Sequence, residues 1–213
     1  MRAPARSGRR ARQEVARPQR GRILDAAFRA FMRDGFARTS TLAIASAANV
    51  SKRELYAQFG SKQALLGACI NARAERMRAP ARAAVIADRD GLVRTLIAFG
   101  AAILREASDP AVIGVFRLAI TEARRSPRVA AMLNQAGRET NHVVLAGLLE
   151  QAQSLNLIAR AAPRELAARF LALLWGDLLL RLLLRVAKRP TEAQAQARAA
   201  LATQDFLKLY GRS

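Results

Sequence analysis

The chain is punctuated for helices and for little else. Strand signals are nearly absent from its 213 residues: Val and Ile are sparse, while Ala, Leu and Arg, all good helix formers, dominate. Apolar residues recur three and four positions apart, the spacing of one helix face. Ile23, Leu24, Ala27, Phe28 and Phe31 form such a face, and Gly35 supplies a stop. Ser40 is placed to cap a short helix carrying Leu42, Ile44, Ala45 and Ala48. Asn49, which tolerates the left-handed conformation, follows it. Ser51-Lys52-Arg53-Glu54 is a capping box that opens a third helix with Leu55, Tyr56 and Phe59, ended by Gly60. Ser61 caps a longer helix through Leu65, Leu66, Cys69 and Ile70 toward Pro80.

The second half repeats this grammar at greater length. Asp90 precedes Leu92, Leu96, Ile97, Ile103 and Leu104, and Asp109-Pro110 and Ser126-Pro127 are cap-then-proline starts. Pro163 opens a long apolar helix to about Lys188. Thr191-Glu192-Ala193-Gln194 is a second capping box, opening a last helix that stops at Gly211. The expectation is an all-α fold of about nine helices with no sheet and no solenoid repeat. Three segments follow from the punctuation: a disordered basic arm over 1–20, a compact helical domain over 21–67 and a second helical domain over 68–213.

Charge narrows the partners. Lys and Arg total 36 against 16 acidic residues, a net charge of +20, and such an excess points to a polyanion, either nucleic acid or an anionic membrane surface. Residues 1–22 hold eight arginines against one glutamate, and half of the net charge falls within the first 62 residues. This N-terminal stretch has no apolar run, so no secretory signal is expected. The most apolar segment, Leu171–Val186, is interrupted by Asp177, Arg181 and Arg185 and is short for a bilayer. A soluble cytoplasmic protein is expected. One Cys and one His argue against a disulfide framework, a multi-cysteine metal site and clustered histidine ligation. No Gly-rich phosphate loop or nucleophile elbow stands among the 12 glycines. Neither an enzyme nor a bound cofactor or metal is therefore expected.

Residues 40–59 have the shape of a helix-turn-helix: two short helices joined by Asn49-Val50-Ser51, with small Ala45 and Ala48 at the crossing. The second helix offers Lys52, Arg53, Tyr56 and Gln58 outward and Leu55 and Phe59 inward. Major-groove readout needs this set. Arg or Lys donates to guanine O6 and N7, Gln pairs with adenine N6 and N7, and Tyr and Lys at the edges hold phosphates. Glu54 has two readings, closure of the capping box or acceptance from cytosine N4.

The stretch from Arg22 to Leu66 resembles the DNA-binding domain of the TetR/AcrR family of bacterial transcriptional regulators. The resemblance is carried by Ile23-Leu24-Asp25-Ala26-Ala27-Phe28, Phe31, Gly35-Phe36, Thr39-Ser40, Ile44-Ala45, Ala48 to Lys52, Leu55-Tyr56, Phe59, Ser61-Lys62 and Leu65-Leu66. The family usually has Gly where this chain has Asn49. The resemblance implies a homodimer reading a palindromic operator in double-stranded DNA. By the same analogy the recognition helix is about Lys52–Phe59, and base contacts come from Ser51, Lys52, Arg53 and Gln58. Phosphate contacts come from Tyr56 and Lys62, and backbone contacts from Ser40 and Thr41. The arm is either a solvated tail or a minor-groove contact.

Beyond residue 70 the resemblance is weaker, though Glu122-Ala123 and Ser126-Pro127 before a long helix resemble many members. The family implies a cavity for a small-molecule effector, apolar or amphipathic. Phe99, Ile103, Phe116, Ile120 and Trp175 are candidate walls, with Arg117, His142 and Asp177 as polar anchors; ordinary core packing is the alternative for each apolar residue. Leucines at 178–180 and 182–184 surround their helix too completely for one core face, and a dimer through the last two helices would cover the surplus. The expected function is a DNA-binding regulator, a repressor released from its operator by an effector. Non-specific nucleic-acid packaging and membrane-surface binding are the competing classes.

Overall fold

The computed structural model describes residues 7–121, 124 and 127–212. Its described residues are helical throughout, apart from turns and one isolated antiparallel bridge between Ile158 and Gly211. In chain order the elements are α1 (Ser7–Arg38), α2 (Thr41–Ala47), α3 (Lys52–Phe59), α4 (Lys62–Arg82), α5 (Arg89–Ala107), α6 (Pro110–Thr121) and α7 (Pro127–Leu133). A π-helical turn (Asn134–Glu139) leads into α8 (Thr140–Ser154), followed by α9 (Pro163–Trp175), α10 (Leu178–Leu183) and α11 (Glu192–Tyr210). The all-α expectation therefore holds. The chain divides into two compact units, 1–72 and 73–213, at a point within α4.

The first unit buries Ile23, Phe28 and Phe31 of α1, Ile44 and Ala45 of α2, Leu55 and Phe59 of α3, and Leu65, Leu66 and Cys69 of α4. Its helix ends fall where the punctuation puts them. α1 kinks at Gly35 and closes with one further turn. Buried Thr39 ties that turn down by donating its hydroxyl to the Gly35 carbonyl (2.6 Å) and the Ala30 carbonyl (3.2 Å). Asn49 takes the left-handed position, φ +54°. One expectation is corrected: α1 begins at Ser7, so residues 7–20 are helical rather than a disordered arm. Their Arg, Ala and Gln are good helix formers and extend the helix back across Pro18. Residues 1–6 lie outside the described residues.

The second unit is built on α5, α9 and α11, with α8 packed on α9. Phe99, Leu92, Leu96 and Leu104 of α5, Phe170 of α9 and Phe206 of α11 are fully buried. The Phe170 and Phe206 rings meet edge to face at 5.6 Å, the arrangement their quadrupoles favour. Gly100 lets α5 approach closely: a Cβ there would stand 3.1 Å from both Ala199 Cβ and Leu174 Cδ1. The end of α11 is pinned to the segment after α8, where Ala159 N–H donates to the Tyr210 carbonyl (2.7 Å) and Arg212 N–H to the Leu157 carbonyl (3.0 Å).

The long helix expected over 163–188 is not continuous. It breaks at Gly176, whose backbone (φ +46°, ψ −123°) a residue with a Cβ rarely adopts. Arg198 then satisfies the freed carbonyls of α9: Nε donates to Leu174 O (2.7 Å) and Nη2 to Trp175 O (2.6 Å). Arg117 does the same for α10, donating from Nε to Leu183 O (3.0 Å) and from Nη2 to Leu182 O (2.7 Å). This break and the π-helical turn before α8 raise the helix count above nine. α5 is capped by Asp88, which accepts from Gly91 N–H (2.7 Å), two residues before the expected Asp90. Asp109 accepts from Ala111 N–H (2.9 Å) at the start of α6, whereas Glu122-Ala123 and Ser126 lie outside the described residues.

Candidate nucleic-acid interface

The candidate site is the outward face of α3 with the start of α2. Ser51 caps α3 by accepting from Glu54 N–H (3.1 Å), and Glu54 Oε2 accepts from Ser51 N–H in return (2.7 Å). The helix is thus fixed at the end where its first side chains project. Leu55 and Phe59 anchor the inner face, while Lys52, Arg53 and Tyr56 are exposed and Gln58 is half-buried. Arg53 is exposed and forms no hydrogen bond or ion pair with any described residue, and its guanidinium carries five donors. Lys52 Nζ lies 5.9 Å from the centre of the Tyr56 ring. The Tyr56 hydroxyl shares a 3.2 Å hydrogen bond with Thr41 Oγ1, which ties α3 to the start of α2. Ser40 Oγ caps α2 by accepting from Ala43 N–H (3.4 Å). Lys62 projects from the start of α4, donates to the Ala37 carbonyl (3.0 Å) and stands over the Phe36 ring at 5.0 Å. All eight nominated side chains thus belong to the α2–α3 unit or its immediate flank, and Tyr56 links them, bonded to Thr41 with Lys52 Nζ over its ring.

Glu54 is committed to the cap. Donation from the Ser51 N–H, then the Ser51 hydroxyl and the Gln19 amide, holds its carboxyl below the ordinary carboxylate range. Gln19 also accepts from Gln58 Nε2 (3.4 Å), and the Arg20 guanidinium lies 4.5 Å above the Phe59 ring. Gln19 and Arg20 carry no signal in the sequence. Both sit in the run taken as an arm, and no local pattern marks a residue whose partner is 39 positions away.

The residues nominated for an effector divide between the core and the surface. Phe99 and Ile103 are buried in the main core of the second unit, and Trp175 packs against it. Phe116 is half-buried, and Arg117 is spent on the α10 carbonyls. Ile120 is 63% exposed. Asp177 is exposed beside Arg181, 3.8 Å away. His142 is half-buried at the start of α8, where burial and then the Arg138 charge depress its pKa. Ile120 and Asp177 therefore stand at the surface of the isolated chain. Among the described residues, no helix is long and apolar enough to cross a membrane.

Comparison with known proteins agrees with this architecture. Residues 23–69 match the sequence model of the bacterial regulatory proteins of the tetR family. Residues 94–212 match that of the AefR-like transcriptional repressor C-terminal domain. A TetR transcriptional regulator from Agrobacterium tumefaciens is similar in structure, with a TM-score of 0.75 and 28% identity over 92% of this chain and 96% of that one. The flavonoid-responsive regulator FrrA is 30% identical, with a TM-score of 0.66 over 91% of this chain and 97% of that one. Salmonella enterica GusR is 28% identical, with a TM-score of 0.60 over 90% and 95%. Among curated proteins none matches the chain significantly. The chain belongs to the TetR family of transcriptional regulators. It carries that family's DNA-binding helix-turn-helix in an all-α fold, and ligand binding and dimerisation are typical of the family. Regulators of this family are in general DNA-binding proteins without enzymatic activity.

Proposed function

We propose that the protein is a cytoplasmic, sequence-specific repressor that binds a palindromic operator as a homodimer and leaves it when a small apolar or amphipathic molecule binds residues 73–213. One observation carries the base-reading part. α3 presents Lys52, Arg53 and Tyr56 outward from a helix fixed by a complete capping box and by two buried anchors. Guanidinium and ammonium donors fit guanine O6 and N7, and the Tyr56–Thr41 pair and Lys62 suit phosphate oxygens. Ser40 adds a hydroxyl at a helix N-terminus, where phosphate is favoured, and Ser51 adds one beside Lys52 for a base edge. The arginines of residues 1–22 supply sequence-independent attraction to the same polyanion.

Dimerisation is supported by apolar side chains left on the surface. Leu180 and Leu184 in and after α10, Val186 beyond it, and Leu201 and Leu209 of α11 are each 58% exposed or more. A second copy packed over them would remove them from water. The effector's apolar character rests on the apolar second unit and on FrrA, a relative that responds to flavonoids. An effector acts only through its differential affinity for the operator-competent and the released conformations.

The test is selection of bound duplexes from a random DNA pool at about 150 mM salt, a concentration that suppresses purely electrostatic binding. An enriched inverted repeat is expected, and Arg53→Ala should lose about 1–3 kcal/mol on it while relaxing the preference at one base pair per half-site. No enrichment, with binding that vanishes as salt rises, would replace this reading with non-specific nucleic-acid packaging, which the charge of +20 alone would favour. An unchanged motif for Arg53→Ala would remove that residue from base readout.

A further inference from the structure

Gln19 precedes the stretch that matches the family, 23–69, yet it touches the reading helix. Its side chain spans one turn of α3. Oε1 accepts from Gln58 Nε2 at 3.4 Å, and the amide lies close enough to the Glu54 carboxylate to help hold its pKa down. Glu54 and Gln58 are four residues apart and share a face. The next residue fastens the same segment, with the Arg20 guanidinium 4.5 Å from the Phe59 ring centre.

The direction of this relay is fixed by elementary chemistry. An ionised carboxylate only accepts hydrogen bonds. Gln19 must therefore turn its NH2 group toward Glu54, which leaves its carbonyl oxygen for Gln58. Gln58 must in turn present its NH2 group to Gln19, so its own carbonyl oxygen is directed away. Glu54 already holds the Ser51 N–H at 2.7 Å and serves the helix cap.

We propose that Gln19 is a positioning residue for base recognition, which orients the Gln58 amide so that its carbonyl oxygen meets the base edge as an acceptor. The groups it selects are the exocyclic amines of adenine N6 or cytosine N4, which present hydrogens in the major groove, over guanine O6 and thymine O4, which do not. This inference rests on the reading of α3 as the base-reading helix.

The experiment repeats the random-duplex selection with the full chain and with Gln19→Met, Gln58→Ala and the double variant. Met matches Gln in length and helix propensity and is equally uncharged, so the charge facing phosphate is unchanged. Gln58→Ala should abolish the preference for adenine or cytosine at one position of each half-site. Gln19→Met should weaken the preference at that same position by about five- to tenfold, within the discrimination one side chain supplies. Its affinity for random DNA, salt slope and thermal midpoint should stay as in the parent, and the double variant should lose no more than Gln58→Ala alone, as coupled residues do. Base preferences identical to the parent in Gln19→Met, beside a loss in Gln58→Ala, would overturn the positioning role and leave the base-reading helix intact. No effect of Gln58→Ala, or a uniform weakening at every position, would also overturn it. Failure of the parent chain to enrich any repeat would overturn the function reading itself.

Discussion

The two units end their helices by different means. In residues 1–72 the boundaries of α2 and α3 are set from adjacent positions: Ser40 starts α2, Ser51 with Glu54 starts α3, Gly60 (φ +73°) ends it, and Ser61 starts α4, where its hydroxyl accepts from Ala64 N–H at 3.0 Å; the last turn of α1 also takes a donor from further off, Lys62 Nζ on the Ala37 carbonyl at 3.0 Å. In residues 73–213 the starts remain local, at Asp88, Asp109 and Thr191. The ends of α9 and α10 do not. Their carbonyls are capped by Arg198 and Arg117, more than twenty and more than sixty residues away along the chain. Helix N-termini need an acceptor, which a short Ser, Thr or Asp supplies from the adjacent position. C-termini need donors, and a long arginine can bring several from anywhere in the fold. The boundaries of α2 and α3 are thus written in neighbouring residues, while the ends of α9 and α10 depend on contacts that only the folded chain creates.

The largest test of that contrast is Arg198→Ala. It removes two short charge-assisted hydrogen bonds to otherwise unpaired carbonyls and should cost about 3 kcal/mol in urea unfolding. A loss under about 0.5 kcal/mol, the size of an ordinary surface change, would mean that the break at Gly176 stands without its distant cap. Ser51→Ala should cost less, about 1 kcal/mol, the typical value of an N-cap. Thermal unfolding checks it, and a cost as large as that of Arg198→Ala would erase the distinction between adjacent and remote caps.

The smallest effect is a pH dependence confined to the second unit. Burial depresses the His142 pKa below its ordinary 6.5, Arg138 and Arg164 add to the effect, and Glu139 opposes it. The unfolded chain therefore takes up the proton first as pH falls. Stability contributed by neutral His142 is complete above pH 6.5, declines below it and levels off beneath the depressed native value. His142→Gln should flatten this decline in denaturation series between about pH 7 and 5. An identical slope in the variant would assign the acid sensitivity to other groups.

The same physical division sets what was legible in the sequence. Ser40, Asn49, the Ser51–Glu54 box and Gly60 are adjacent signals, so α2, the turn and α3 fall where their spacing puts them. The break at Gly176 escaped because the run Leu171–Val186 reads as one apolar helix. What makes it tolerable is Arg198, and the left-handed residue that ends α10 is Arg185 (φ +62°) rather than a glycine. The basic segment before residue 21 was read from charge alone, which cannot separate a tail from a helix. Gln19 shows its role only through Glu54 and Gln58. In the second unit, apolar residues at helical spacing mark a core but not which of them face a ligand. Phe99 and Ile120 obey the same pattern, yet one is fully buried and the other stands at the surface.

In the proposed complex two copies of α3 read one palindrome. Hydroxyl-radical footprinting of the full chain on its selected duplex tests this most directly. Two protected patches on one face of the DNA, centred about one helical turn or 34–36 Å apart, are predicted. A single protection that spreads along the duplex with protein concentration, whatever its sequence, would contradict it.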